Sequence, residues 1–265
     1  MKYLKKGIVY RSTGSWYTVQ SQGSFYECRI KGKLRLKGIK STNPVAVGDK
    51  VHFEVDSNTS LLEGNITYIE ERQNYIVRKS VNLSKQTQII ASNIDQVFLL
   101  VTLNNPPTFP AFIDRFLVTA EAYHIPAIVL FNKIDIYSEV DLNEINHLQM
   151  IYKKIGYSTY MISATKGDGV QKIKELMQDK VSMFSGHSGV GKSTLVNAIS
   201  PSLNLKTSAI SKQHKQGMHT TTFAEMFALS KGIKIIDTPG IKGFGVVDML
   251  PERLEIFSRV LSAKG

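Results

Sequence analysis

The chain has 265 residues, 42% of them hydrophobic and 21% charged, which is enough for one large domain or two ordinary ones with a buried core. Its single cysteine, Cys28, excludes an internal disulfide and a Cys-rich zinc cage, and no apolar run suits a membrane span or a secretory signal, so we expect a soluble, cytoplasmic protein. The formal net charge of +11 favours a polyanionic partner, nucleic acid before membrane.

Residues 1–72 predict a small all-β barrel. They contain five short segments rich in Val, Ile, Tyr and Phe, separated by Gly, Asn and Pro turns. Such a series suits an OB-type Greek-key barrel, with an SH3-like barrel as the competing interpretation. This region holds 12 Lys and Arg against 7 Asp and Glu, and the other 193 residues hold 21 against 15, so positive charge is concentrated in the predicted barrel.

A polar linker is predicted at 73–84, followed by an α/β domain at 85–250. In this domain buried apolar strands alternate with amphipathic helices, beginning with a strand at 94–103 and a helix at 112–123. The alternation predicts a mostly parallel, doubly wound sheet with helices on both faces. We interpret residues 251–265 as the start of a further C-terminal segment.

The strongest motif is GHSGVGKS at 186–193, which matches the phosphate-loop pattern and lies between a predicted strand and a predicted helix. Backbone N–H groups of such a loop wrap phosphates along a path that side chains would block. Lys192 places a catalytic cation on the β- and γ-phosphates, and Ser193 is a Mg²⁺ ligand. The His187 side chain is interpreted as incidental, because the backbone does the binding. Nucleotide binding is assigned to Gly186, His187, Ser188, Gly189, Val190, Gly191, Lys192, Ser193 and Thr194.

Two shorter motifs favour GTP over ATP. NKID at 132–135 follows a predicted strand, where ligands gather in such sheets. Asp135 can accept hydrogen bonds from N1–H and the exocyclic amine of guanine, which adenine does not offer. Lys133 can lay its stem along the base, and Asn132 can brace the surrounding loops. Ser163 and Ala164 follow another strand end, where the Ala164 N–H could meet guanine O6.

The DTPG motif and the polar segment before it complete the predicted site. Asp237 would hold Mg²⁺ through water, and the Gly240 N–H would sense the γ-phosphate. HTTT at 219–222 suits a mobile loop that delivers one Thr hydroxyl to Mg²⁺. We favour Thr221 as this ligand and leave Thr220 and Thr222 open.

The order of the motifs is unusual for a GTPase. The guanine motifs NKID and SAT normally follow the phosphate loop and DTPG, but here they come first. The same site can be built this way because domain termini often lie close together and can be joined. The sequence therefore predicts a circularly permuted P-loop GTPase domain.

The combination of YECRIKGKLR, VGDKV, IDQ, NKID, SAT, GHSGVGKS, HTTT and DTPGIKGFG resembles the circularly permuted ribosome-biogenesis GTPases of the RsgA (YjeQ) family. The resemblance covers nearly the whole chain. It implies GTP hydrolysis stimulated by the small (30S) ribosomal subunit, contact with 16S rRNA, and a role late in maturation of that subunit. We expect a monomer.

One departure concerns zinc. The family continues after its GTPase domain into a helical module with a Cys/His zinc site, whereas this chain ends at Gly265 and has no Cys beyond Cys28. Either the sequence is truncated or the module is lost. Mg²⁺ with GTP or GDP is therefore the expected cofactor set, and no zinc is assigned.

Hydrolysis needs a group that orients water. Ile241 stands where many GTPases place a Gln, and its side chain cannot polarise water, so unaided turnover should be slow. The resemblance points to His219 as the catalytic water-positioning residue, and a neutral imidazole can do this near neutral pH. The alternatives are a solvated loop residue or an RNA contact.

The predicted barrel has a candidate RNA-binding strand. Five basic residues alternate along it, which in an extended strand places them on one face: Arg29, Lys31, Lys33, Arg35 and Lys37. Tyr17, Phe25 and Tyr26 either stack bases or belong to the barrel core. A merely solvated basic face is the alternative.

The favoured function is a ribosome-dependent GTPase. The competing function is a GTP/GDP-switched RNA-binding module with negligible turnover in this form. An ATP-dependent P-loop protein is disfavoured by Asn132, Lys133 and Asp135.

Overall fold

The computed structural model describes residues 2–30, 44–56, 62–79, 87–203 and 224–237. Two compact units can be distinguished, one built mainly from Met1–Ile94 and the other mainly from Asp95–Thr221. The predicted C-terminal segment at 251–265 lies outside the described residues. In the described ranges, no helix combines the length and apolar character that crossing a bilayer requires.

Five strands of the first unit form a closed barrel in the order β1-β2-β3-β5-β4, with β4 pairing back onto β1. The β3–β5 pair is parallel, and the other pairs of the barrel are antiparallel. This arrangement confirms the predicted OB-type barrel. The strands are β1 Lys2–Ser12, β2 Tyr17–Ser21, β3 Ser24–Ile30, β4 Lys50–Asp56 and β5 Glu63–Ile69.

Alternate residues of these strands fill the barrel, as the two-residue period of a strand requires. Tyr17 and Tyr26 are 1% and 5% exposed and belong to the core cluster, so their rings are not available to stack on bases. Phe25 lies on the outer side, half-exposed, with its ring edge-on to Tyr10. Of the three aromatic candidates from the sequence, only Phe25 is therefore on the surface.

A hairpin follows the barrel, formed by β6 Tyr75–Lys79 and β7 Thr87–Ser92. Strand β6 lies inside the segment predicted as a linker, 73–84, so the first half of that segment is not irregular chain. The physical reason is that Ile76 and Val77 are apolar and pair with Ala91 and Ile89 of β7. Ile76 is only 3% exposed.

A buried ion pair joins Asp49, directly before β4, to Arg72, which follows β5, and it contacts the hairpin through Ser92. The Arg72 Nε and Nη2 donate to the two carboxylate oxygens of Asp49, each at 2.6 Å, and the side chains are only 6% and 0% exposed. Ser92 Oγ and the Ala46 N–H also donate to Asp49, at 2.6 and 2.8 Å. Every oxygen of the buried carboxylate therefore has partners, as a buried charge requires.

The second unit contains a parallel sheet in the order β10-β9-β8-β11. Its central strand β8 is buried along its whole length, which explains its continuous apolar sequence. The elements confirm the predicted α/β class: β8 Gln96–Val101, α1 Pro110–Ala122, β9 Ala127–Phe131, α2 Glu139–Lys154, β10 Ser158–Met161, α3 Val170–Leu176, β11 Val181–Ser185 and α4 Lys192–Ile199.

The strand order places four loops at one edge of this sheet. From β8 the chain continues to β9 and β10 on one side, whereas β11 pairs with the other side of β8. Val101 and Met161 both pair with Phe131, and Ser185 pairs with Leu99, so the carboxyl ends of all four strands coincide. A sheet of this kind binds ligands where the order reverses, which here is between β8 and β11.

Two later strands are β12 Glu225–Ala228 and β13 Lys234–Asp237, which are neighbours in the sheet. Strand β12 pairs antiparallel with β1 through Arg11 and Glu225.

Candidate nucleotide-binding site

The phosphate-loop motif connects β11 to α4, as predicted. Gly186 and Gly191 have φ values of 138° and 102°, in the region that favours glycine. A Cβ on Gly186 would overlap the Leu100 carbonyl oxygen, and a Cβ on Gly191 would overlap the Asn132 amide nitrogen. Both glycines are therefore required by close approach as well as by backbone conformation, and the tight loop fits the cradle that a phosphate chain needs.

The ammonium group of Lys192 is hydrogen-bonded to the first two residues of the phosphate loop. Lys192 Nζ donates to the carbonyl oxygens of Gly186 and His187 at 2.7 and 2.6 Å. Ser193 is 8% exposed in the first turn of α4, and Val190 is fully buried. Of the remaining predicted residues, Ser188 and Gly189 lie in the loop, and Thr194 lies in the first turn of α4.

Asn132 links three loops from a buried position, where it is 1% exposed. Its Nδ2 donates to the Val190 carbonyl of the phosphate loop at 2.8 Å. Its Oδ1 accepts from the Ala164 N–H of the SAT loop at 3.0 Å. The amide therefore holds the phosphate loop and the two guanine motifs in one cluster, which is the bracing role predicted from the sequence.

The Ala164 amide has a partner that the sequence did not indicate. Its N–H was predicted to meet guanine O6, but it donates to Asn132 and the residue is only 6% exposed. A contact with O6 would have to share this hydrogen, so the predicted contact remains a prediction.

Asp135 is exposed, but a hydrogen bond from the buried Ser163 orients its carboxylate. The fully buried Ser163 hydroxyl donates to Asp135 Oδ1 at 2.6 Å and accepts from the Lys166 N–H at 3.0 Å. Since the amide can only donate, the hydroxyl hydrogen must point to the carboxylate. The arrangement presents a preoriented carboxylate, the group that reads the N1–H and amine of guanine.

Lys133 adopts a left-handed backbone conformation, with φ 70° and ψ 31°. Its Nζ donates to the Asn105 carbonyl in the loop after β8, at 2.5 Å. The ammonium is thereby anchored, and the predicted role of the aliphatic stem along the base remains a prediction.

The His187 side chain, interpreted from the sequence as incidental to binding, packs against an aromatic ring. The centroid of its ring lies 4.0 Å from the centroid of the Phe112 ring, and the two ring planes meet at 34°. Burial lowers the pKa of His187, and the neighbouring charge of Lys192 lowers it further, so both favour the neutral imidazole. Phe112 belongs to no nucleotide motif, and no sequence signal connects it to His187.

The remaining predicted residues are placed in part. Asp237 ends β13 and is half-buried, and Arg29 is exposed on β3 with its guanidinium 3.8 Å from the centre of the Trp16 ring. The other predicted site residues lie outside the described ranges: Lys31, Lys33, Arg35, Lys37, His219, Thr220, Thr221, Thr222 and Gly240.

A phosphate loop after β11 and the guanine motifs after β9 and β10, joined through one buried asparagine, define a P-loop GTPase with circularly permuted motifs. The chain belongs to the RsgA family: the model described as RsgA GTPase matches residues 69–247, and the RsgA N-terminal domain matches residues 6–62. The resemblance seen in the sequence is thus confirmed, and the chain is a GTPase.

Relatives named Small ribosomal subunit biogenesis GTPase RsgA cover most of the chain. The one from Flavobacterium johnsoniae is 67% identical over 249 residues, which are 94% of this chain and 77% of the relative. The one from Christiangramia forsetii is 62% identical over 265 residues, covering 98% and 84%.

Solved structures show the same architecture. YjeQ from Thermotoga maritima matches with a TM-score of 0.75 and 32% identity, over 96% of this chain and 81% of that one. YloQ, described as a circularly permuted GTPase, matches with a TM-score of 0.70 and 27% identity, over 98% and 80%.

Proposed function

We propose that this protein binds the small ribosomal subunit and hydrolyses GTP to GDP and phosphate during late maturation of that subunit. The names of its relatives support the biological setting. The observation that most supports the chemistry is the Asn132 bridge, because it joins a phosphate-binding loop to a guanine-reading carboxylate loop.

Guanine is the base that the site favours. The Asp135 carboxylate, preoriented by Ser163, can accept from both N1–H and the exocyclic amine. Adenine would leave the carboxylate without these donors, which costs about 1–3 kcal/mol or more for a charged group. GDP and GTP should therefore bind much more tightly than ADP and ATP.

The triphosphate end would be bound by the loop and by Mg²⁺. Lys192 neutralises the β- and γ-phosphates, and Ser193, Thr221 and Asp237 are hard oxygen groups suited to hold Mg²⁺ directly or through water. The metal would supply charge neutralisation of the phosphates. We assign the orientation of the attacking water to His219 and the sensing of the γ-phosphate to Gly240.

The barrel is the proposed rRNA-binding part. Its net positive charge, the exposed Arg29 and the exposed Phe25 suit contact with the backbone and bases of 16S rRNA. Lys31, Lys33, Arg35 and Lys37 would extend the basic strand. The protein would act as a monomer in the cytoplasm.

Turnover on purified small subunits tests the proposal. GTP hydrolysis is measured with and without subunits, alongside Lys192→Ala as an inactive control for contaminating GTPases. We expect a rise of at least about tenfold with subunits, abolished by Lys192→Ala. GTP binding without stimulated turnover would overturn the proposal in favour of a GTP/GDP-switched RNA-binding module, and the absence of GTP binding would overturn both.

A further inference from the structure

The connection from β8 to α1 lies beside the nucleotide motifs without belonging to any of them. It is held in shape at both ends. The Thr108 N–H donates to the Thr102 carbonyl at 2.9 Å, and the Thr102 hydroxyl donates to the Pro106 carbonyl at 2.5 Å. The Leu103 N–H donates to the Tyr137 hydroxyl at 2.9 Å, which ties the connection to the segment just before α2.

This connection contacts both sides of the site. On the guanine side, the Asn105 carbonyl accepts from Lys133 Nζ. On the phosphate side, a Cβ built on Gly189 would lie 3.4 Å from the Pro106 ring, an ordinary packing distance. In the first turn of α1, Phe112 packs its ring against His187 at a centroid distance of 4.0 Å.

The ring contact reaches a residue whose carbonyl helps to hold the catalytic lysine. His187 follows Gly186 in the loop, and the carbonyl oxygens of both accept from Lys192 Nζ. Anything that fixes the His187 ring therefore also fixes the backbone that surrounds the phosphate-binding cation. Holding a binding loop in its final shape strengthens binding, because less conformational entropy is lost when the ligand arrives.

We propose that Phe112 is a positioning residue of the nucleotide site, which holds the phosphate loop in its binding shape through His187. The inference rests on the proposed nucleotide site and assigns it a residue from outside the GTPase motifs. Phe112 would act on the phosphates and not on the base, since its contact is with the phosphate loop and Asp135 is oriented separately by Ser163.

Nucleotides that differ from GDP at either the phosphate or the base separate an effect on the phosphate loop from an effect on base recognition. GMP lacks the β-phosphate, and inosine diphosphate lacks the exocyclic amine that Asp135 reads. For Phe112→Ala we expect GDP affinity to fall about three- to tenfold, the range that loss of a ring–ring contact predicts. The GDP-to-GMP affinity ratio should fall with it, whereas the ratio of GDP to inosine diphosphate should stay unchanged.

Three variants make the test specific. Phe112→Tyr keeps the ring and should restore wild-type ratios. His187→Ala removes the same contact from the loop side and should lower the GDP-to-GMP ratio in the same way. In the double variant, Phe112→Ala should then cause no further loss. Phe109→Ala is the matched control, because this aromatic residue is 69% exposed and takes no part in the His187 contact.

Affinities are measured by competition against a fluorescent GDP, with thermal unfolding as the folding control. An unchanged GDP-to-GMP affinity ratio in Phe112→Ala, which includes an equal loss for all three nucleotides, would overturn the inference. If Phe112→Ala does not fold, His187→Ala gives the same decision. Failure of the wild-type chain to bind GDP would instead overturn the proposed function itself.

Discussion

The Nδ2 of Asn132 lies 2.8 Å from the carbonyl oxygen of Val190, although the two residues belong to motifs that are far apart in the chain. The other end of the same amide accepts from the Ala164 N–H. In an ordinary GTPase, the phosphate loop comes before the guanine motifs in the chain. Here the guanine motifs come first, and the parallel order β10-β9-β8-β11 still brings all three loops to one edge.

Removing the Asn132 amide should loosen the site. Asn132→Ala leaves the Val190 carbonyl and the Ala164 N–H without a partner, and each buried unpaired group costs about 1–3 kcal/mol. We expect a lower melting temperature and at least about a tenfold weaker GDP affinity by calorimetry. Asn143→Ala, at an exposed position of α2, is the control. Wild-type GDP affinity in Asn132→Ala would contradict the bracing role.

Gly191→Ala tests the close approach at the phosphate loop. The new methyl group would overlap the Asn132 amide, so the variant should lose nucleotide binding. Gly156→Ala is matched to it, because Gly156 has a similar φ of 96° but nothing within 4 Å of the added Cβ. The control therefore shows the cost of backbone strain alone, about 1 kcal/mol. Equal GDP affinity in the two variants would show that the overlap does not matter.

Ser163→Ala should reduce discrimination between bases. The Asp135 carboxylate loses the hydroxyl that orients it, while the phosphate loop keeps all its contacts. We expect the preference for GDP over inosine diphosphate to fall at least about tenfold, in line with the loss of one hydrogen bond to a charged group. Ser158→Ala, exposed at the start of β10, serves as the control. An unchanged preference would mean that Ser163 does not orient Asp135.

The barrel should depend on its buried ion pair. Arg72→Met leaves the fully buried Asp49 carboxylate uncompensated, and breaking such a pair costs about 3–5 kcal/mol. Adding Asp49→Asn should recover part of this loss. Trp16, the single tryptophan, lies between β1 and β2 and reports unfolding of the barrel by fluorescence in urea. A loss below about 1 kcal/mol in Arg72→Met would contradict this interpretation.

Cys28 should be chemically inert in the folded barrel. Burial raises the pKa of its thiol to about 12, with a further contribution from the charge of Glu27. At pH 8 the reactive thiolate is then about one part in ten thousand, and the side chain is also fully buried. A thiol reagent such as DTNB should react only in denaturant. Rapid labelling of the native protein would show that the barrel opens.

The sequence indicated most of the fold because its elements have clear periods. The wholly buried β8 has a continuous apolar sequence, and α4 begins within the phosphate-loop motif, where a helix was predicted to follow. Strand β6 was missed, because the pairing that buries Ile76 comes from β7 and is not visible in the polar sequence around it. Whether Tyr17, Phe25 or Tyr26 faces the core likewise depended on strand register.

The parts of the site that could be predicted are those whose residues belong to short sequence motifs. The bracing role of Asn132 and the need for Gly186 and Gly191 follow from residue type and strand ends. The Ala164–Asn132 bond and the Phe112–His187 contact do not, because each depends on how separate elements pack.

Calorimetric titration of the purified chain with GDP and with ADP, both with Mg²⁺, tests the central claim most directly. The account predicts one GDP per chain and at least about a hundredfold weaker binding of ADP, because only guanine satisfies the Asp135 carboxylate. Equal binding of the two nucleotides, or no heat with GDP, would contradict it.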